Sequence, residues 1–176
     1  VVSAVHTVGN YEYGFFWYLY LDGTIQMEVK LTGIIGVSAV ADGDERPDVA
    51  PLVAPNVTSP IHQHLFCFRL DFNIDGTNNS VYEVEAEPLP IAEDNPQGTA
   101  FRAKSTLLES EQQAQRDCYP QRSRYWKVVN PERKNGLGKA VAWKLLPSAT
   151  PTLLAHEDSI IAKRAGFARH NLWVTK

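Results

Sequence analysis

Two histidines separated by one residue form the clearest metal-binding pattern in the sequence. They occur as His62-Gln63-His64, near the start of an apolar stretch from Ile61 to Asn73 that is expected to be a strand. On a strand, residues i and i+2 point to the same face with their Cα atoms ~7 Å apart, so two imidazoles can converge on one ion. Imidazole suits copper, zinc, iron and nickel. The pattern indicates a transition-metal site, although such pairs also occur by chance on protein surfaces.

A second segment, Asn10-Tyr11-Glu12-Tyr13, gains significance beside the histidine pair. Taken alone, it is the end of a Gly-Asn turn that opens an aromatic strand. Together with the His-x-His pair further along the chain, it resembles the copper amine oxidases. That family carries Asn-Tyr-Asp/Glu-Tyr followed by a copper-binding His-x-His strand.

The resemblance extends over essentially the whole chain, because further landmarks of the family follow in the same order. These landmarks are Tyr18 to Ile25, Leu31 to Ile34, Arg69 to Asp71, Ile74 to Gly76, Asn130-Pro131, Lys134-Asn135, Leu145, Pro151 to Ala155 and Leu172 to Thr175. The sequence is therefore identified as a member of the copper amine oxidases, drawn from the C-terminal catalytic domain. Residues 1–176 are expected to be an incomplete catalytic β-sandwich domain, truncated at both ends.

The resemblance implies that Tyr11 is the precursor of topaquinone, that Asn10 orients the quinone, and that His62 and His64 bind copper. A phenol beside Cu(II) is acidified and becomes electron-rich enough to react with O2. The resulting quinone accepts a primary amine as a Schiff base, and a carboxylate base removes the α-proton. The expected activity is oxidative deamination of primary amines to aldehyde, ammonia and hydrogen peroxide.

The resemblance also implies components that this sequence carries only in part. A peripheral cation, calcium or sodium, would bind Asp71 and the backbone carbonyl of Phe72, where Asn73 replaces the second aspartate of some relatives. The family's third copper histidine and its catalytic aspartate match no residue here. The isolated chain is therefore expected to be inactive, and the family resemblance implies that the parent enzyme is a homodimer.

Alternating apolar and turn-forming segments predict an all-β fold, part of a large antiparallel β-sandwich. The strongest local signal is a hairpin in which Asp22-Gly23 joins two aromatic and β-branched runs. Gly36 to Pro60 is expected to be a long loop, with a charge cluster from Asp42 to Asp48. A second hairpin is expected around Asp75-Gly76. Further strands are expected at Phe101 to Gln115, Arg122 to Val129, Lys139 to Leu146 and Ile160 to Phe167.

Composition argues against some partners. The formal net charge is −3, which gives no electrostatic reason to expect a nucleic acid, and no apolar run is long enough to span a membrane. Cys67 and Cys118 form no metal-type or redox-type pair, so a peroxisomal or cytoplasmic location is favoured over an extracellular one.

Three alternatives stay open at this point. The first is a catalytically inactive relative that acts as a binding module. The second is a cupin-type metalloenzyme, and the third is a purely structural β-sandwich. A cupin usually supplies a glutamate close to its His-x-His pair, and none is suitably spaced here.

Overall fold

A computed structural model describes residues 1–43 and 48–175. Nearly all of its regular structure is antiparallel strand. The chain divides into two compact units, Val1–His62 and Gln63–Lys176, each of which is described by itself. The predicted charge cluster from Asp42 to Asp48 lies partly outside the described residues.

The first unit contains a three-stranded antiparallel sheet in the order β1-β2-β3. Its strands are β1 (Val2–Val8), β2 (Tyr11–Leu19) and β3 (Ile25–Gly33). The predicted hairpin is confirmed, because Asp22 Oδ1 accepts the Thr24 N–H at 2.9 Å and Gly23 takes a φ of +86°. Strand β1 was not among the predicted elements.

A smaller sheet of the first unit lies within the segment predicted to be a long loop. Its strands are β4 (Ser38–Ala39), β5 (Leu52–Ala54) and β6 (Val57–Thr58), in the order β4-β6-β5. Just after β6, the Ser59 N–H donates to the carbonyl of Pro51 at 3.1 Å. The small sheet thereby fixes the chain immediately before His62.

The second unit is built on a four-stranded antiparallel sheet in the order β11-β10-β7-β8. The remaining elements are a two-stranded ladder of β9 and β12 and three short helices. The elements are β7 (Ser80–Pro88), β8 (Phe101–Leu107), β9 (Gln115–Arg116), a 3-10 helix (Pro120–Arg122), β10 (Tyr125–Lys134), β11 (Ala140–Leu145), α1 (Ile160–Arg164), a 3-10 helix (Gly166–Arg169) and β12 (Leu172–Trp173).

The core of the second unit combines apolar side chains with one buried carboxylate. Trp126 is completely buried, and its indole N–H donates to Glu83 at 3.2 Å. Arg116 makes a two-point contact with the same carboxylate, at 2.8 and 2.6 Å. Paired donors of this kind satisfy a charge that would otherwise be costly to bury.

Two strand predictions are wrong, and the strand predicted from Phe101 to Gln115 is too long, because it ends at Leu107. Among the described residues, 61–73 belong to no strand and the hairpin predicted around Asp75-Gly76 does not form; the Ile61 N–H donates to the Val49 carbonyl at 2.9 Å, but no ladder continues from it. Apolar composition favours a strand, but a strand needs a neighbour to satisfy its backbone groups. Residues 160–164 are helical because the Ser159 hydroxyl caps the Ala162 N–H, and this local bond outweighs the β-branched Ile160-Ile161 pair.

Within the described residues, no helix is long and apolar enough to cross a membrane. Cys67 and Cys118 are both free thiols, and burial raises the pKa of Cys118.

Candidate metal and cofactor site

Tyr11 is the first residue of β2, the central strand of its sheet. It lies opposite Val8 on β1 and Gly33 on β3, so its backbone is held from both sides. The turn before it contains Gly9, whose φ of +62° belongs to the left-handed region that favours glycine. The side chain of Tyr11 is half-buried. The sheet therefore fixes the backbone from which the Tyr11 phenol projects, at the start of β2.

Gly33 allows the backbone to approach Tyr11 closely. Its φ is +104°, and a Cβ at this position would lie 2.4 Å from the Asn10 carbonyl oxygen and 2.9 Å from Tyr11 Cα. The next residue, Ile34, donates its N–H to the same Asn10 oxygen at 2.8 Å. Only glycine fits here without moving the backbone that carries Tyr11.

The hydroxyl of Tyr11 is engaged on two sides. It lies 3.0 Å from Nε2 of His62 and accepts the backbone N–H of Gly36 at 3.1 Å. On the other side of the imidazole ring, His62 Nδ1 lies 2.8 Å from the carbonyl oxygen of Pro60. A carbonyl can only accept, so Nδ1 carries the proton and Nε2 presents a lone pair. The phenol therefore donates to His62.

This tautomer of His62 is the one that a metal ligand requires. Metal-binding histidines usually donate the second ring N–H to a carbonyl or carboxylate, which fixes the ring and leaves the other nitrogen free to coordinate. Here the Pro60 carbonyl has that role, and Nε2 points at the phenol. An imidazole nitrogen beside a phenol is a donor set that suits copper. The residues present therefore fit the metal that the sequence predicts.

His64 follows two residues later and is half-buried. The side-chain amide of its neighbour Gln63 makes two hydrogen bonds to one backbone segment. It donates to the Thr152 carbonyl at 3.0 Å and accepts the Leu154 N–H at 2.9 Å. These two bonds fix the backbone that leads into His64. Across residues 1–43 and 48–175, no cluster of three or more His, Cys, Asp or Glu side chains is arranged to hold a metal by itself.

The other predicted site residues lie at the surface or near it. Asn10 is exposed in the turn before β2, and its carbonyl accepts the N–H of Ile34. Asp71 is exposed and Phe72 is half-buried, and the side-chain oxygen of the adjacent Asn73 accepts the N–H of Gly76 at 2.9 Å. The roles of Asn10 with the quinone and of Asp71 and Phe72 with a peripheral cation remain predictions.

Sequence reasoning missed Gly36, Pro60 and Gln63. The first two act through backbone groups, which leave no side-chain signal in a sequence. Gln63 carried a signal, because a residue between two histidines on an extended segment points to the opposite side and needs its own partners there. Its side-chain amide pairs with the Thr152 carbonyl and the Leu154 N–H, much as a neighbouring strand would.

Comparisons with known proteins identify the family. A family model described as the copper amine oxidase enzyme domain matches residues 1–176, and the chain belongs to this family. The chain is 50% identical over its full length to the histamine oxidase of Arthrobacter globiformis, and 46% identical over 99% of its length to a primary amine oxidase of Arthrobacter sp. strain P1. The copper-containing benzylamine oxidase of Hansenula polymorpha matches 99% of the chain with a TM-score of 0.92 at 32% identity.

The comparisons also bear on the fold and on the extent of the chain. The predicted fold class, an antiparallel all-β fold of the copper amine oxidase type, is confirmed by the agreement with the benzylamine oxidase structure. The cupin alternative is thereby excluded. The chain spans about a quarter of each relative, namely 25% of the histamine oxidase, 26% of the primary amine oxidase and 27% of the benzylamine oxidase chain.

Proposed function

We propose that the full-length protein containing this chain oxidises primary amines with O2, using one copper ion and a topaquinone formed from Tyr11. The observation that carries this proposal is the 3.0 Å contact between the Tyr11 hydroxyl and Nε2 of His62. In this contact the phenol lies against the imidazole nitrogen that, in this tautomer, could instead bind a metal. Membership of the copper amine oxidase family supports the same chemistry.

The residues of this chain have distinct roles in the proposal. His62 and His64 supply two imidazole ligands to copper, and Tyr11 supplies the ring that becomes the quinone. When bound, copper supplies the redox and Lewis-acid chemistry that lets the ring react with O2. In the metal-free protein the phenolic hydroxyl donates to His62 Nε2, the atom that would bind copper, and the Gly36 N–H would support the charge on oxygen once the proton leaves. Asn10, in the turn beside Tyr11, orients the quinone.

Both proposed reactions balance with O2 as the oxidant. Conversion of the tyrosine ring to topaquinone consumes two molecules of O2 and releases one hydrogen peroxide. Each turnover then converts amine, O2 and water into aldehyde, ammonia and hydrogen peroxide. The substrate class is a primary amine. A homodimer, a peripheral calcium or sodium ion at Asp71 and Phe72, and a peroxisomal or cytoplasmic location remain predictions. Relatives of this chain include a tobacco diamine oxidase that is described as peroxisomal.

The test is direct detection of the modified residue. The full-length protein is prepared without metal, loaded with Cu(II) under air, treated with phenylhydrazine and digested for mass spectrometry. The peptide that contains Tyr11 is expected to carry the mass of a quinone hydrazone. Tyr11→Phe provides the matched control, because it keeps the ring but removes the hydroxyl that makes the ring electron-rich enough to be oxidised. An unmodified Tyr11 in copper-loaded protein rules the proposal out.

A catalytically inactive relative that acts as a binding module is the alternative. It predicts copper binding without any hydrazone at Tyr11, so the same experiment separates the two functions.

A further inference from the structure

Four hydrogen bonds form a continuous chain around the Tyr11 hydroxyl. The Ser59 hydroxyl donates to the Gly36 carbonyl at 3.0 Å, and the Gly36 N–H donates to Tyr11 at 3.1 Å. Tyr11 donates to His62, and His62 donates to the Pro60 carbonyl at 2.8 Å. Ser59 and Pro60 are adjacent in the sequence, so the network begins and ends on the same short segment.

Within this network, Gly36 is the residue whose position depends most on the network's own hydrogen bonds. It lies between β3 and β4, outside both sheets, and it has no side chain to pack. The backbone of Gly36 is held from its carbonyl side by Ser59 and from its amide side by Tyr11. Ser59 is itself anchored, because its N–H donates to the Pro51 carbonyl at 3.1 Å. The hydroxyl of Ser59 therefore ties Gly36 to the small sheet that also positions His62.

We propose that Ser59 is a positioning residue for the conversion of Tyr11 to topaquinone, a role that rests on the proposed function above. Its hydroxyl holds Gly36 where the Gly36 N–H meets the phenolic oxygen, and this contact keeps that oxygen against His62. Ser59 touches neither the reacting ring nor either histidine of the copper pair through its side chain. Its effect is therefore on the formation of the cofactor, and it does not extend to copper binding or to amine oxidation by a completed quinone.

The experiment follows quinone formation in the full-length protein. Metal-free protein receives Cu(II) under air, and phenylhydrazine-reactive quinone is measured against time. Ser59→Ala is expected to slow the reaction by about 2- to 10-fold, which corresponds to about 0.4–1.4 kcal/mol, the range of one neutral hydrogen bond. Ser59→Cys keeps the volume but donates weakly, so it is also expected to be slow. Ser59→Thr keeps the hydroxyl and is expected to restore a near-normal rate.

Two further readouts distinguish positioning from general damage. Copper content at the end of the reaction and kcat per quinone are both expected to match the wild type in all three variants. Ser3→Ala is the matched control, since Ser3 is exposed on β1 and makes no side-chain hydrogen bond among the described residues. It is expected to form quinone at the wild-type rate.

The possible outcomes either support or overturn the inference. Normal rates in Ser59→Ala and Ser59→Cys overturn it, and so does a slow rate accompanied by lost copper or by an equal fall in kcat per quinone. If Ser59→Ala does not fold, the rate of Ser59→Cys decides in the same way. A wild-type protein that forms no quinone overturns the proposed function itself, which is a separate and recognisable result.

Discussion

Replacing Gly33 with alanine tests whether the backbone approach beside Tyr11 is required. At a φ of +104°, any residue with a Cβ carries a backbone strain of about 1–3 kcal/mol. The new methyl would also lie 2.4 Å from the Asn10 carbonyl oxygen and 2.9 Å from Tyr11 Cα. Because these are backbone atoms that cannot rotate away, overpacking adds about another 1–3 kcal/mol. We expect a total destabilisation of about 2–6 kcal/mol and slower quinone formation at Tyr11.

Gly23→Ala is the matched control for this prediction. Gly23 lies at the other end of the same hairpin with a φ of +86°, but a Cβ there would meet nothing within 4 Å. This substitution therefore carries the backbone strain alone, with no displacement beside Tyr11. Thermal or denaturant unfolding of the metal-free full-length protein measures both variants, and phenylhydrazine titration measures their quinone. Equal destabilisation by the two substitutions, or normal quinone formation in Gly33→Ala, would refute the reasoning.

Three further predictions concern single side chains. His62→Ala is expected to reduce copper binding by at least about 10-fold, measured by metal analysis after dialysis, because it removes a ligand rather than a supporting group. Gln63→Glu is expected to weaken copper binding by about 10- to 100-fold. A carboxylate cannot donate to the Thr152 carbonyl, so the segment before His64 loses this support. Gln63→Ala, which lacks both side-chain bonds, is the comparison. Glu83→Gln is expected to cost about 1–3 kcal/mol at neutral pH. Burial alone would raise the pKa of Glu83, but the hydrogen bond from Arg116 and nearby positive charge lower it below the ordinary 4.5. This stabilisation is complete above pH 4.5 and is lost as the pH falls through the lower folded pKa, so the difference between variant and wild type should shrink in acid unfolding curves.

The sequence was sufficient where a local pattern determined the structure. Asp22-Gly23 predicted its hairpin because an aspartate oxygen and a glycine at positive φ are what such a turn needs. Tyr11 and His62 are recognisable in the sequence because their side chains can carry chemistry. Their contact was expected only from family resemblance, because nothing local in a sequence brings two residues that far apart together.

The sequence was insufficient where a backbone group or a distant partner decides the outcome. The stretch from residue 61 to residue 73 has the composition of a strand, yet no ladder forms with it in the described chain. The Ser159 cap turned an apparent strand into a helix. The contacts that hold Tyr11 come from the Gly36 amide and, through His62, from the Pro60 carbonyl, and any residue with a peptide bond could supply such groups.

Strand β2 carries three tyrosines, and the surroundings of the third, Tyr18, differ from those of Tyr11. Tyr18 is seven positions further along, on the opposite face of the sheet, and its hydroxyl donates to Glu28 at 2.7 Å. The hydrogen bond to this carboxylate is the main reason that the pKa of Tyr18 is raised, so its phenol is held in the neutral form. Tyr11 instead donates to Nε2 of His62 and accepts the backbone N–H of Gly36, a donor that can stabilise negative charge on the phenolic oxygen. The same residue type on one strand thus meets a carboxylate on one face and an imidazole with a backbone N–H on the other, and these neighbours of the phenolic oxygen distinguish Tyr11 as the proposed cofactor precursor.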